Sequence, residues 1–293
     1  MEAGQVSAFG DRVVLLVIPP AGQQFIRVYE PSSGTIRDLG EIPSSLAPLA
    51  SNDRYLAFRP RPFSNNVLLH DWDDNETTLV VESEACRSPL LLTSTHVVLQ
   101  SCEWGVGVDL NGNGSTDDAV PAAFPLEGGA PIYSSGSSGR STQNKRWLAA
   151  GDRYVASGEI SGGDINVLDP ISGTTTEYDS KMPSRGLILP VDDRFLFGIP
   201  ERSEDRDING DGDALDDVYG LLDPELAFII EIPWAYNQES NGVETDFLAT
   251  ARGPVAVLPA TFGSQPGLPN DGAYLLTLEV TPGCSGVTID PIP

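Results

Sequence analysis

The chain has 293 residues, 42 of them acidic against 17 basic, and a formal net charge of −25. Lys145 and Lys181 are its only lysines, so no basic face is available to a phosphate backbone and nucleic acid is not expected as a partner. Four Trp, eight Tyr and ten Phe within a hydrophobic content of 40% suffice for a buried core, which separates this acidic chain from a disordered one.

At the start, "MEAGQVSAFG" has neither a basic stretch nor an apolar run, so no signal peptide is read there. The expectation is a cytosolic protein or a mature form with an added Met1. "RVVLLVIPP" and the later "AFIIEIPW" are strand-sized and stopped by Pro, far short of a membrane span, and no membrane insertion is expected. The first of them belongs to "GDRVVLL" (Gly10 to Leu16), which opens a series. "NDRYLAF" (Asn52 to Phe58), the degenerate "STHVVLQ" from Ser94, "GDRYVAS" (Gly151 to Ser157), "DDRFLFG" (Asp192 to Gly198) and the degenerate "ARGPVAV" from Ala251 follow it. Anchored on Asp11, Asp53, Ser94, Asp152, Asp193 and Arg252, the copies recur at about 41 residues, with roughly seventeen more in the third and fifth.

Inside a repeat the pattern is strand, turn, strand, loop, strand, turn, strand. The fourth shows it best, as "RWLAA", "RYVASGE", "DINVLDP" and "TTTEYDS", with "DPISG" supplying Pro and Gly to its third turn. Four short strands per repeat of this length predict one propeller blade each, and six repeats predict six blades. Their approximate bounds are 3–43, 44–86, 87–143, 144–183, 184–243 and 244–293. The fold class is therefore all-β, a six-bladed β-propeller with four antiparallel strands per blade, in one domain over residues 1–293. A pair of β-sandwiches is the alternative, but it does not require such a period.

"SNDRYLAF" followed by "NVLLHDW" and "TTLVVES", and "AGDRYVAS" followed by "DINVLDPISGTTTEYD", resemble the repeats of TolB-like six-bladed propellers. In those repeats an Asp-containing turn leads into a strand and a second Asp opens a later turn. The resemblance implies a fold and carries over no active site.

The extra residues of the third and fifth repeats fall between the second and third strands, as "DLNGNGSTDDAV" (Asp109 to Val120) and "DINGDGDALDDV" (Asp207 to Val218). Oxygen-bearing side chains stand at positions 1, 3 and 5 and Gly at position 6. This is the cadence in which alternate side chains converge on one hard cation and Gly permits the sharp turn. Val at position 12 replaces the bidentate Glu of an EF-hand, and the flanks are strands. The loops resemble the strand-flanked, EF-hand-like calcium loops of integrin-type propeller repeats. That resemblance implies two Ca2+ sites. The first would be held by Asp109, Asn111, Asn113 and either Asp117 or Asp118, the second by Asp207, Asn209, Asp211 and either Asp216 or Asp217, each with a backbone carbonyl near Ser115 or Asp213. The second loop's final Asp pair comes one residue later, which leaves its last ligand open. Glu103 and Glu201 each stand six residues before the first Asp, as accessory ligands or turn-formers. Loop one, with two neutral Asn, is expected to bind more weakly. Without metal, mutual repulsion would favour an open loop.

Cys86 and Cys102 are symmetric about Ser94, the turn between the first two strands of the third blade, which places them opposite each other at a bridgeable separation. Three buried free thiols are the alternative, and Cys284 is left over. A disulfide and millimolar calcium belong outside the cytosol, so the location read here is extracellular, cell-surface or periplasmic.

His70 and His96 lack the spacing of a zinc site and are expected to be structural. Asp pairs such as Asp192 and Asp193 recur at the blade turns, which points to a structural role. The long connections Tyr133 to Arg146, Pro233 to Asp246 and Pro259 to Asp271 are expected on the calcium-loop face, where Trp104, Trp234 and Tyr236 offer aromatic surface. The expected function is a monomeric, calcium-stabilised binding or structural module that meets a protein or glycan partner. The alternative is a hydrolase or lyase with its site in the central channel.

Overall fold

A computed structural model describes residues 2–9, 12–18, 23–43, 49–59, 65–82, 86, 89–135, 146–159, 164–179, 189–191, 193–208, 210, 212–214, 217–236, 247–250, 253–258, 274–281 and 284–291. Among them six four-stranded antiparallel sheets follow one another along the chain. The first holds β1 (Glu2–Phe9), β2 (Arg12–Ile18), β3 (Gln23–Glu30) and β4 (Thr35–Pro43), the second β5 (Leu49–Ser51), β6 (Tyr55–Phe58), β7 (Val67–Asp71) and β8 (Glu76–Val81). The third holds β9 (Leu91–Leu92), β10 (His96–Cys102), β11 (Ala119–Pro125) and β12 (Ile132–Tyr133), the fourth β13 (Arg146–Ala150), β14 (Val155–Glu159), β15 (Ile165–Asp169) and β16 (Thr174–Tyr178). The fifth holds β17 (Leu189–Val191), β18 (Arg194–Pro200), β19 (Asp217–Asp223) and β20 (Phe228–Tyr236), the sixth β21 (Phe247–Thr250), β22 (Gly253–Leu258), β23 (Tyr274–Thr281) and β24 (Cys284–Pro291). Within each sheet, strand neighbours in sequence are neighbours in space.

The chain divides into two compact units, Met1–Ser157 with Asn166–Glu177, and Gly158–Ile165 with Tyr178–Pro293. In the first unit the pleat explains why the middle strands read as continuous apolar runs. Successive side chains of a strand face opposite ways, and here both faces are covered. Leu56 and Phe58 of β6 pack with Val14, Ile26 and Val28 of the first sheet, while their neighbours Tyr55 and Ala57 pack with Val97, Leu99, Ala122 and Phe124 of the third. Val98 and Ala123 turn the other way, onto Leu148, Val155 and Leu168 of the fourth. All seven residues of β10 are buried. Outer strands differ, since β8 begins with four exposed residues and β16 is nowhere buried, which fits the polar "ETT" and "TTTEY" there.

The period of the sequence has a physical counterpart in this unit. Arg12 donates from Nη1 to the carbonyl of Asp53 at 2.6 Å, Asn52 from Nδ2 to that of Thr93 at 2.9 Å, and Ser94 from Oγ to that of Asp152 at 3.3 Å. Each turn between first and second strands thus ties to the same turn one repeat later. The Asp-Arg pair of that turn has a second use. Arg54 donates to Asp71 Oδ2 at 3.1 Å and Arg153 to Asp169 Oδ2 at 2.8 Å. In the second unit Arg194 does the same to Asp223 Oδ2 at 2.7 Å. In each case the carboxylate ends the third strand, and its other oxygen accepts backbone N–H groups of the following turn: Asp73 and Asp74, Ile171, or Glu225 and Leu226. One carboxylate therefore closes two turns. Burial opposes ionisation of Asp71, but the Asp73 N–H and the Arg54 guanidinium outweigh it and hold the carboxyl below its usual range. Asp169 is held down in the same way by Arg153 and the Ile171 N–H.

Candidate metal centre

Both inserted loops leave the second strand of a sheet and return as the third. Cys102, the last residue of β10, pairs with Ala119, the first of β11. One helical turn, α1 (Glu103–Val106), leads off, and Gly107 closes it in the left-handed region with its N–H on the Glu103 carbonyl at 2.6 Å. The Asp109 carboxylate then gathers the loop beneath it. Its Oδ1 accepts the N–H of Gly112 at 2.7 Å and of Asn113 at 3.2 Å, and its Oδ2 that of Gly114 at 2.7 Å. Asn111 Oδ1 accepts the Asn113 N–H at 3.0 Å, and Asn113 Oδ1 the Ser115 N–H at 2.7 Å. Gly112 and Gly114 have φ of 76° and 84°, backbone that a Cβ would strain.

Two acids sit beneath this turn. Glu103 is fully buried. Its Oε1 accepts the N–H of Leu110 at 2.7 Å and of Asn111 at 3.2 Å, and its Oε2 that of Asp118 at 3.2 Å. Its own N–H donates to the Asp118 carbonyl at 3.0 Å. Glu103 is thus a turn-former with bonds to both ends of the loop. Asp118 is also fully buried. Its Oδ2 accepts the Asn113 amide at 2.7 Å, but its Oδ1 is buried with no hydrogen-bond partner. A buried carboxyl oxygen left unmatched is unfavourable, and a cation beside it supplies the missing partner. Asp117, by contrast, is exposed.

Loop two repeats the construction. A turn α2 (Glu201–Glu204) follows β18, Glu201 is fully buried, and its Oε1 accepts the Ile208 N–H at 2.6 Å. Asp207 accepts the N–H of Gly210 at 2.6 Å and of Gly212 at 2.9 Å, the two amides that match Gly112 and Gly114. Pro200 pairs with Asp217, in the places of Cys102 and Ala119. Asn209, Asp211 and Asp216 lie outside the described residues, as do the side chain of Asp217 and most of the long connections. Asp213 is exposed. Among the described residues no three His, Cys, Asp or Glu side chains form a group that could hold a metal ion. The loop-one set named from sequence carries Asn111 and Asn113 beside its Asp. It is all oxygen, which suits a hard cation such as Ca2+ and not zinc or copper.

A disulfide joins Cys86 to Cys102, with Cα atoms 5.1 Å apart, and packs on Ala119 at the root of loop one. Cys86 lies outside the strands, yet its N–H donates to the Gln100 carbonyl at 2.7 Å. The two histidines have local partners. His70 meets Thr77 Oγ1 at 3.0 Å and sits edge-on to Trp72. His96 Nδ1 meets Thr95 Oγ1 at 2.8 Å. Burial lowers the pKa of both.

One feature was not legible in the sequence. A cavity of about 620 Å³ opens at the far end of β10 and β11 from loop one, lined by Tyr55, Leu92, Thr93, His96, Leu126 and Glu127 among others. Turns of three different repeats build it, so no local motif announces it. Its Thr95 and His96 contact joins consecutive residues of one turn, and among the described residues no carboxylate is hydrogen-bonded to the ring.

No protein-family profile matches the chain, and no curated protein matches it. Among solved structures it is similar to the β-propeller domain of the Trilobed protease from Pyrococcus furiosus, whose structure was described as revealing an open velcro topology. The identity is 12%, the match covers 99% of this chain and 85% of that one, and the TM-score is 0.55. A match to TolB from Acinetobacter baumannii has 9% identity and a TM-score of 0.40, and covers 75% of this chain and 51% of that one. The antiparallel sheets and the first of these likenesses identify the fold as a β-propeller.

Proposed function

We propose that the chain is a six-bladed propeller of the extracellular space, cell surface or periplasm, stabilised by two calcium ions, that binds a protein or glycan partner through its loops. The observation that carries the metal reading is the buried Asp118 Oδ1 without a partner, beneath side-chain oxygens spaced as a calcium loop requires. The six four-stranded sheets among the described residues support the blade count. The disulfide supports a location where thiols are oxidised, and calcium is abundant there. Binding through loops on a rigid β scaffold is the usual arrangement for such folds.

The test is a melt of the full chain in calcium and in EDTA. With free calcium a hundredfold above Kd, each site adds about 2.7 kcal/mol, and EDTA is expected to lower Tm by roughly 2–4 °C for each kcal/mol lost. Asp207→Ala and Asp211→Ala are expected to remove part of the calcium-dependent rise. An unchanged melt in EDTA, with both variants like the parent, removes calcium from the account.

A further inference from the structure

We propose that the tenth residue of each loop, Asp118 and by equivalence Asp216, is the carboxylate that closes over the ion, and that Glu103 and Glu201 are the positioning residues that hold the loop open to it. This rests on the calcium reading above and specifies its ligands.

The ninth and tenth positions compete in loop one, where Asp117 and Asp118 adjoin, and strand register separates them. Cys102 opposite Ala119 and Pro200 opposite Asp217 fix the same frame on both loops. Counted back along the sequence from those pairs, Leu215 is the equivalent of Asp117 and Asp216 that of Asp118. A ninth-position ligand would serve one loop only, whereas a tenth-position ligand serves both. Asp217, the other candidate, occupies the place of Ala119, inside the strand.

Burial agrees with register. Asp117 is exposed, while Asp118 is enclosed and keeps Oδ1 unmatched. Its Oδ2 holds the Asn113 NH2 group, so the side of Asn113 left for a cation is its oxygen, which is what a hard ion needs. Glu103 differs from Asp118 in that both of its oxygens are matched, by the three amides of Leu110, Asn111 and Asp118, so its burial calls for no ion. Through those bonds it fixes the entry and the exit of the loop at once. Glu201 makes the first of them, to Ile208.

The experiment titrates Ca2+ into the metal-stripped full chain by calorimetry, with melts in EDTA and in calcium. The wild type is expected to bind two ions. Asp118→Ala is expected to bind one and Asp117→Asn still two. Asp118→Asn is expected to melt no lower than the wild type in EDTA, because it keeps an oxygen for the Asn113 amide and loses only one that has no partner, and to gain less from calcium. A merely structural Asp118 predicts a lower melt in both buffers. Glu103→Gln is expected to keep two ions while the loop-one affinity falls about 10- to 100-fold; should it not fold, Glu201→Gln reads the same effect at loop two. Two ions retained by Asp118→Ala, or one lost by Asp117→Asn, overturns the assignment and leaves calcium binding standing. A wild type that binds none overturns the calcium reading itself.

Discussion

Removing the disulfide by the double substitution Cys86→Ala, Cys102→Ala tests how the third sheet is held at the root of loop one. The bridge spans a sequence separation of 16 residues, and on the chain-entropy account closing a loop of that size in the unfolded state is worth about 3 kcal/mol. At roughly 2–4 °C per kcal/mol, the double variant should melt about 6–12 °C below the oxidised parent. Both cysteines are substituted together so that no lone thiol is left to pair with Cys284. Reduction of the parent by a phosphine gives the same comparison without deleting the sulfur atoms from the cluster with Ala119. Because Glu103 follows Cys102 directly, either treatment should also weaken calcium binding at one of the two loops, since Pro200 stands in the equivalent place of the other. Thermal melts in calcium and in EDTA read both effects. A double variant that melts with the parent would show that the bridge does not hold the third sheet, and one that loses affinity equally at both loops that it does not act through Glu103.

Gly220 faces Phe197 across β18 and β19, and a Cβ there would lie 2.7 Å from Phe197 Cζ and 2.8 Å from Ile199 Cδ1. Both neighbours are buried, so Gly220→Ala should cost about 1–3 kcal/mol, read by denaturant unfolding. Asp169→Ala removes the Arg153 pair and the acceptor of the Ile171 N–H, and should cost about 1–2 kcal/mol. Arg153→Ala, whose side chain is 43% exposed, should cost less than about 1 kcal/mol; equal losses would mean that the turn does not need its acceptor. Burial lowers the pKa of His70 and His96, so below a pH of about 6.5 the unfolded chain takes up protons more readily at these positions than the folded one. Stability should therefore fall as pH drops from 7 toward 5, and His70→Asn should flatten part of that slope.

The repeat was legible because its chemistry is local. Arg54, Arg153 and Arg194 each follow a turn Asp and each find the carboxylate that ends the third strand, so the same letters recur. In the third sheet Thr95 stands in the place of the Arg and Pro125, opposite His96, in that of the carboxylate, and the motif fades. Ser94 still anchors it, because the hydroxyl makes the bond to Asp152 that the period requires. The oxygen cadence of the loops and the strand flanks were equally plain. What could not be read was which late Asp turns inward, since that depends on the pairing of strands seventeen residues apart, and whether Glu103 touches an ion or the backbone. Both are matters of register and burial, which a spacing does not contain.

The distribution of charge connects these features. A chain at −25 folds at little electrostatic cost where its carboxylates are exposed at turns or paired with arginine, as at Asp71, Asp169 and Asp223. Those acids carry their counter-charge within the protein, so the turn end of each sheet should hold its shape in EDTA. Asp118 is different: it is enclosed, takes a single amide from Asn113, and leaves an oxygen unmatched. Sensitivity to metal should accordingly be confined to the loop end of the third and fifth sheets, and hydrogen exchange can see the distinction. Removing calcium should speed exchange at Leu110, Asn111 and Gly114, whose amides close loop one, while the Asp73 and Ile171 amides keep their protection. Uniform loss at both ends would mean that the ion stabilises the whole fold without acting through these loops.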